Sequence, residues 1–278
     1  TKPMETDKQI EKAASLIREA DALLIGAGAG MGVDSGLPDF RGNEGLWRAY
    51  PKLGKHQISF VEIANPNAFA DNARLAWGFY GHRLNRYRET QPHDGFRILQ
   101  DMAKKLPHGA FVFTSNVDGQ FQKAGFDESR IVECHGSIHH LQCCTPCSAS
   151  IWPADKLSVK IDEENCWLTS PLPVCPECHG MSRLNILMFN DWGWISNRTE
   201  LQMERLHKWY RQAKHLIVIE MGAGVHVPTV RRASESFDVP IIRINPDYPE
   251  VPKSSDVGLA MGALDALRLI EAKLGKTA

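Results

Sequence analysis

Ala22-Leu23-Leu24-Ile25 is a short, unbroken apolar run that empties directly into Gly26-Ala27-Gly28-Ala29-Gly30. Without polar alternation, such a run suits a strand buried on both faces, and the glycines supply a turn out of a parallel sheet. The same grammar returns at Ala110-Phe111-Val112-Phe113-Thr114, which ends in Ser115-Asn116-Val117-Asp118. It returns again at Leu216-Ile217-Val218-Ile219, before Glu220-Met221-Gly222-Ala223-Gly224, and at Ile241-Ile242-Arg243-Ile244, before Asn245-Pro246-Asp247. Helical periodicity covers residues 7–20, 93–105, 200–214 and 261–274. Strands alternating with helices predict an α/β fold with a Rossmann-like open parallel sheet, whose ligands collect at the carboxyl ends of the strands.

Two stretches break this rhythm: residues 44–90, rich in Trp and Tyr, and residues 138–186, which hold most of the cysteines. They are expected to form a smaller module, helical over 44–90 and zinc-binding over 138–186, inserted into a large domain made of 7–43, 91–137 and 187–274. Charge sets limits on partners. The 278 residues carry 32 Lys+Arg against 33 Asp+Glu, a net charge of −1, so no global field draws nucleic acid or an anionic membrane. The most apolar stretches, 22–33 and 216–227, fall short of the roughly 20 residues that a spanning helix needs. Residues 1–20 are charged and helix-like, unlike a secretory signal. Seven cysteines, an odd number, suit a metal site in a reducing compartment better than a disulfide framework, and a soluble, cytoplasmic protein is expected.

Two features carry chemistry. A glycine turn after a strand lets backbone N–H groups approach a pyrophosphate, although a tight strand-to-helix connection uses the same residues without a ligand. Here Ser35-Gly36-Leu37-Pro38-Asp39-Phe40-Arg41-Gly42 follows at once, placing an acid, an aromatic ring and an arginine where a helix would ordinarily begin. The second feature is a pair of cysteine knuckles, Cys143 or Cys144 with Cys147 and Cys175 with Cys178, about 28 residues apart. Four thiolates make a closed tetrahedral zinc shell, which is structural because no position is left for substrate.

The segment from Gly28 to Gly42 resembles the NAD-binding segment of the sirtuin family, a Gly-Ala-Gly turn followed by Gly-Ile-Pro-Asp-Phe-Arg. Thr114-Ser115-Asn116-Val117-Asp118, with Ala124-Gly125 after it, is similar to that family's Thr-Gln-Asn-Ile-Asp motif, and Glu133-Cys134-His135-Gly136-Ser137 to its His-Gly segment. The resemblance covers about residues 10–270 and implies an enzyme that consumes NAD. Nicotinamide leaves the ribose, the oxygen of an acylated lysine attacks the exposed carbon, and O-acyl-ADP-ribose is released. It assigns His135 as general base, with Asn116 and Asp118 in the nicotinamide pocket. NAD contacts fall to Gly28, Ala29, Gly30, Asp39, Phe40, Arg41, Ser115, Gly222, Ala223, Asn245 and Ala263. Counting from His135 as the family does puts the first zinc ligand at Cys143, giving Cys143, Cys147, Cys175 and Cys178, whereas Cys144 would restore the commoner two-residue gap.

The pattern also departs from the family. Gly32 stands for Ser, Ser115 for Gln, and Phe121 for a histidine. Phe189-Asn190-Asp191 replaces Phe-Gly-Glu in the segment that meets the substrate peptide, with Trp192 and Trp194 following, and Gly222-Ala223 lacks the hydroxyls of the Gly-Thr-Ser loop. Tyr80 and Arg83, on one helix face with Phe189 as third substrate contact, resemble the pair by which one sirtuin class reads acidic acyl groups. A packed Tyr beside a solvated Arg is the equal alternative. The resulting expectation is an NAD-dependent protein-lysine deacylase acting on an acylated protein. An NAD hydrolase or ADP-ribosyltransferase, and a catalytically silent NAD-binding sensor, stand as alternatives.

Overall fold

A computed structural model describes residues 2–40 and 42–275. Its centre is a six-stranded, wholly parallel sheet in the order β11-β10-β9-β1-β2-β3, with β1 at Ala22–Ala27, β2 at Ala110–Thr114, β3 at Ile131–Glu133, β9 at Leu216–Met221, β10 at Ile241–Ile244 and β11 at Val257–Leu259. The four apolar runs become β1, β2, β9 and β10. The edge strands β3 and β11, three residues each, were too short to show periodicity.

Side chains alternate across this sheet, and helices cover both faces. Leu23 and Ile25 pack with Val112, Ile219 and Ile242 under α1 (Lys2–Glu19), α7 (Asp94–Lys104) and α11 (Ala263–Gly275), through Ile10, Ile17, Leu99 and Leu267. Leu24 faces the other way, with Phe111, Val132 and Val218, under α9 (Asn197–Tyr210) and α10 (Thr229–Ser236), through Leu206, Trp209 and Val230. Phe121, in the short α8 (Gln120–Lys123), is a core ring 4.8 Å from Phe96, so the residue that replaces the family's histidine has a packing role.

A further core joins the remaining elements. It takes α2 (Gly42–Ala49), α3 (Pro51–Lys55), α4 (Phe60–Ile63), α5 (Pro66–Asp71) and α6 (Ala73–Glu89) together with a three-stranded antiparallel sheet. That sheet orders β5 (Ile151–Pro153), β4 (Gly136–Cys143) and β8 (Ser182–Ile186), with the hairpin β6 (Ile161–Asp162) and β7 (Trp167–Leu168) beside it. Trp77 on α6 is fully buried and donates its indole N–H to the Ser182 carbonyl at 3.1 Å, tying helices to sheet. Among the described residues, no helix is long and apolar enough to cross a membrane.

Topology selects the site. From β1 the chain builds β2 and β3 to one side, then crosses to build β9, β10 and β11 on the other. The crevice outside the carboxyl ends of β1 and β9 is the switch point, where open α/β sheets bind ligands.

Candidate active site

At the switch point the ends of β1 and β9 interlock through glycine. A Cβ on Gly28 would lie 2.5 Å from the Gly222 oxygen, one on Gly30 2.6 Å from Gly222 Cα, and one on Gly222 2.4 Å from Gly30 Cα. Gly222 also takes φ +59°, which L side chains rarely adopt. The N–H groups of Gly28 and Gly30 donate to the Met221 and Gly222 carbonyls at 3.0 Å each, so these glycines weld two strand ends together before any phosphate is considered. Ala29 and Gly224, beside the weld, are exposed. The turn continues as a 3-10 segment, Ala29–Ser35, in which Asp34 accepts from the Leu264 N–H at 3.1 Å and so caps the start of α11 beside Ala263.

β2 delivers the next residues. Thr114 Oγ1 donates to the Ala27 carbonyl (2.8 Å) and accepts from the Asn116 N–H (3.0 Å), while Asn116 Nδ2 donates to the Gly28 carbonyl (2.9 Å). Ser115 donates its N–H to Ala27. Asn116 is thereby pinned across the mouth of the glycine turn. Asp118 is 9% exposed, and burial pushes its carboxyl up to about 6, against the opposing pull of the Gln120 N–H and the Arg83 charge. His139 Nε2 lies 2.9 Å from the Asp118 carbonyl oxygen, and its ring occupies the space a Cβ on Gly119 would need.

His135 leaves the sheet next door, since Thr114 and Glu133 are register partners on β2 and β3. Gly136 must follow it: φ is +83° and a Cβ there would sit 2.0 Å from the Asn185 oxygen. The preceding Glu133 is clamped by α9, its carboxylate by Arg198 (2.6 Å), its N–H by Gln202 (2.9 Å) and its carbonyl by Thr199 (3.0 Å). The His135 imidazole is half-buried, which holds it below the usual histidine range and favours the neutral ring, and Nε2 lies 3.4 Å from Thr229 Oγ1.

Aromatic residues wall the side of the crevice toward the smaller sheet. Phe40 packs near Tyr50, Phe60 and Phe79, and the Arg83 guanidinium sits 4.6 Å above its ring while bonding the Tyr87 hydroxyl. Tyr80 is a core ring, 5% exposed and stacked on Phe69. Phe189 meets Phe60 edge-on at 5.6 Å and donates its N–H to the Ala64 carbonyl. Asn190 holds φ +52°, a left-handed conformation that asparagine tolerates well, so it serves where the family has glycine. Asp191 turns inward to a buried pair with Arg183 and accepts from the Met188 and Gly193 N–H groups. Trp192 is 98% exposed and so adds no bulk to this wall. Arg41 lies outside the described residues.

On the far side of the switch point, Asn245 is buried, donates to the Ala223 carbonyl (2.9 Å) and accepts from the N–H groups of Asp247 and Tyr248. Its side chain thus shapes the loop beside the crevice. Beneath lies a buried ion pair, Glu220 with Arg243 at 2.6 Å, the guanidinium also reaching Glu235 and the Glu250 carbonyl.

The cysteine knuckles converge. Sulfur atoms of Cys143, Cys147, Cys175 and Cys178 all lie within 4.8 Å of one another, with Cys143 to Cys178 at 3.6 Å and Cys147 to Cys175 at 3.7 Å. Zinc–sulfur bonds of about 2.3 Å give a tetrahedron with edges of about 3.8 Å, so the four thiols fit one zinc ion. Cys144 lies outside this group, and burial raises its thiol to about 11.

Comparison with known proteins settles the family. The Sir2 family model matches residues 28–228, most of the chain. The chain belongs to the Sir2 family. An NAD-dependent protein deacylase of Thermococcus sibiricus is 30% identical over 78% of this chain and 76% of its own length. One of Aquifex aeolicus is 26% identical over 87% and 91%. Among solved structures, a Sir2 homologue in complex with NAD superposes with a TM-score of 0.71, at 25% identity, over 96% of this chain and 94% of that one.

Within this Sir2-family crevice, Gly28, Gly30, Ser115, Asn116, Asp118, His135, Gly222 and Ala223 all leave the carboxyl ends of β1, β2, β3 and β9. Asn245 and Ala263 leave β10 and open α11, on the neighbouring edge. No sequence motif gives a role to His139, Thr229, the Glu133 clamp or the Asp191–Arg183 latch. A histidine at the fourth position of β4 carries no motif, and partners at separations of 21, 94 and 65 residues leave no local pattern.

Proposed function

We propose that this Sir2-family chain removes acyl groups from protein lysines, consuming NAD as co-substrate and releasing nicotinamide and O-acyl-ADP-ribose. The observation that carries the reading is the gathering of Asn116, Asp118 and His135 on adjacent strand ends at the switch point of the sheet. A site that only bound NAD would have no use for a base. Asn116 and Asp118 hold the nicotinamide amide, and loss of nicotinamide leaves positive character on the ribose, which the acyl oxygen quenches by attack at that carbon. His135, kept neutral by its surroundings, takes the proton from a ribose hydroxyl. Arg83 and Phe189 receive the acyl-lysine, with Arg83 offering its guanidinium to a carboxylate-bearing acyl group and Tyr80 supporting it from the core.

Cys143, Cys147, Cys175 and Cys178 would hold one zinc ion, which fixes the outer end of β4 and takes no part in the reaction. In this reading residues 7–43, 91–137 and 187–274 form the NAD-binding domain, residues 44–90 and 138–186 the smaller module beside it, and seven cysteines without a disulfide suit the cytoplasm. The hydrolase alternative drew on the altered segment after Phe189. Asn190 and Asp191 explain that alteration as backbone geometry and a latch, which favours the deacylase. Nicotinamide release from NAD in the presence and absence of acetyl- and succinyl-lysine peptides tests the proposal: release should require a peptide, and release independent of peptide overturns it.

A further inference from the structure

The backbone around His135 is firmly held. Glu133 is clamped by Arg198, Thr199 and Gln202, and the His135 carbonyl accepts from the Leu187 N–H at 2.8 Å. The imidazole is held by less. Among the described residues its one side-chain hydrogen-bond partner is Thr229, whose Oγ1 lies 3.4 Å from Nε2. Thr229 is the first residue of α10, and the placement of that helix is itself fixed by β1. Gly26 has no side chain, so Val230 and Ser234 settle against the strand, where a Cβ would come within 3.2 Å of each. The positive pole of α10 therefore opens beside the ring and disfavours an imidazolium there.

We propose that Thr229 is a positioning residue for His135: its hydroxyl fixes the imidazole with Nε2 addressed to the crevice and yields it to a ribose hydroxyl of NAD. The inference rests on the general-base reading of His135. A hydroxyl suits both halves of the proton transfer because it donates and accepts. Before transfer, Thr229 O–H donates to the lone pair of neutral Nε2. In the transfer, the ribose O–H bond breaks, an Nε2–H bond forms, and the electron pair stays on the ribose oxygen. The new Nε2–H then donates to Thr229 Oγ1 once the hydroxyl has rotated. Valine has the same shape and offers neither role.

Thr229→Val, Thr229→Ser and His135→Ala are to be compared for nicotinamide release at saturating acetyl-lysine peptide and for NAD affinity by calorimetry. Thr229→Val should lower kcat about tenfold, the size of one modest hydrogen bond, with the KM and Kd for NAD within about twofold of wild type. Thr229→Ser should restore kcat. A Thr229→Val enzyme with undiminished kcat, or one whose loss lies in NAD affinity alone, overturns the role, as does failure of Ser to restore turnover. Imidazole nitrogen NMR gives a readout independent of turnover: wild type and Thr229→Ser should share one tautomer pattern that Thr229→Val loses, and identical spectra in all three contradict the proposal. His135→Ala separates the two levels, since full turnover in that variant removes the general-base reading whatever Thr229 does.

Discussion

Asp118 carries a carboxylate that water hardly reaches, and its shift upward to about 6 makes it a stability determinant as well as a candidate pocket residue. An unfolded aspartate titrates near 3.9, so between about pH 4 and pH 6 the folded chain holds a proton that the unfolded chain has lost. The stabilisation is complete below about pH 4 and is lost as pH rises through about 6. Asp118→Asn removes this dependence. In urea unfolding, the stability difference between wild type and variant should move by on the order of 2–3 kcal/mol from pH 4 to pH 7, wild type losing ground as pH rises; a constant difference contradicts the burial account. His135→Ala should reduce nicotinamide release by roughly a hundredfold or more while NAD still binds, as expected for loss of a general base. The two sites differ in how they could be read. His135 and Asp118 stood in motifs, but His139, which supports the Asp118 loop, meets it only through the packing of β4. Asn190 looked like a loss of glycine, and only its φ of +52° shows that asparagine meets the same need.

Secondary-structure elements were legible where periodicity had room to show. The four long sheet strands stood out as apolar runs, whereas β3 and β11 did not, although the candidate base His135 stands two residues past the end of β3. The choice between Cys143 and Cys144 needed the hairpin itself: Cys143 ends β4 with its side chain buried toward Cys178, and Cys144 faces the helical core. Cys143→Ser should therefore lose bound zinc and lower the melting temperature, and Cys144→Ser should retain about one zinc per chain by elemental analysis. The latch that Asp191 forms from the middle of the 188–194 segment gives a second prediction at this scale. Asp191 and Arg183 are both buried, so Asp191→Asn leaves a charged guanidinium without its counterion and should cost about 3–5 kcal/mol in denaturant unfolding. A change below about 1 kcal/mol would show the pair to be dispensable.

The whole molecule is organised by one crossing of the chain. Because β1 lies in the middle of the sheet with β2 on one side and β9 on the other, loops far apart in sequence meet at a single crevice, and the glycines at 28, 30 and 222 bring two of them into backbone contact. The alternation of strands and helices disclosed this plan, and the motif residues suggested the chemistry proposed for it. Strand order was not written in either, since pairing across more than 100 residues depends on which faces the helices cover. The glycines also had two readings, close approach to phosphate or a tight strand-to-helix connection, and the distances around Gly222 add a third, the close approach of two strand-end backbones as a requirement of the fold itself. The most direct test of the central claim is nicotinamide release from NAD by the purified protein, with and without an acyl-lysine peptide, followed by mass spectrometry of the products. The account predicts release only with peptide, one deacylated lysine and one O-acyl-ADP-ribose for each nicotinamide; nicotinamide and free ADP-ribose formed without peptide, or no release with any acyl-lysine, would contradict it.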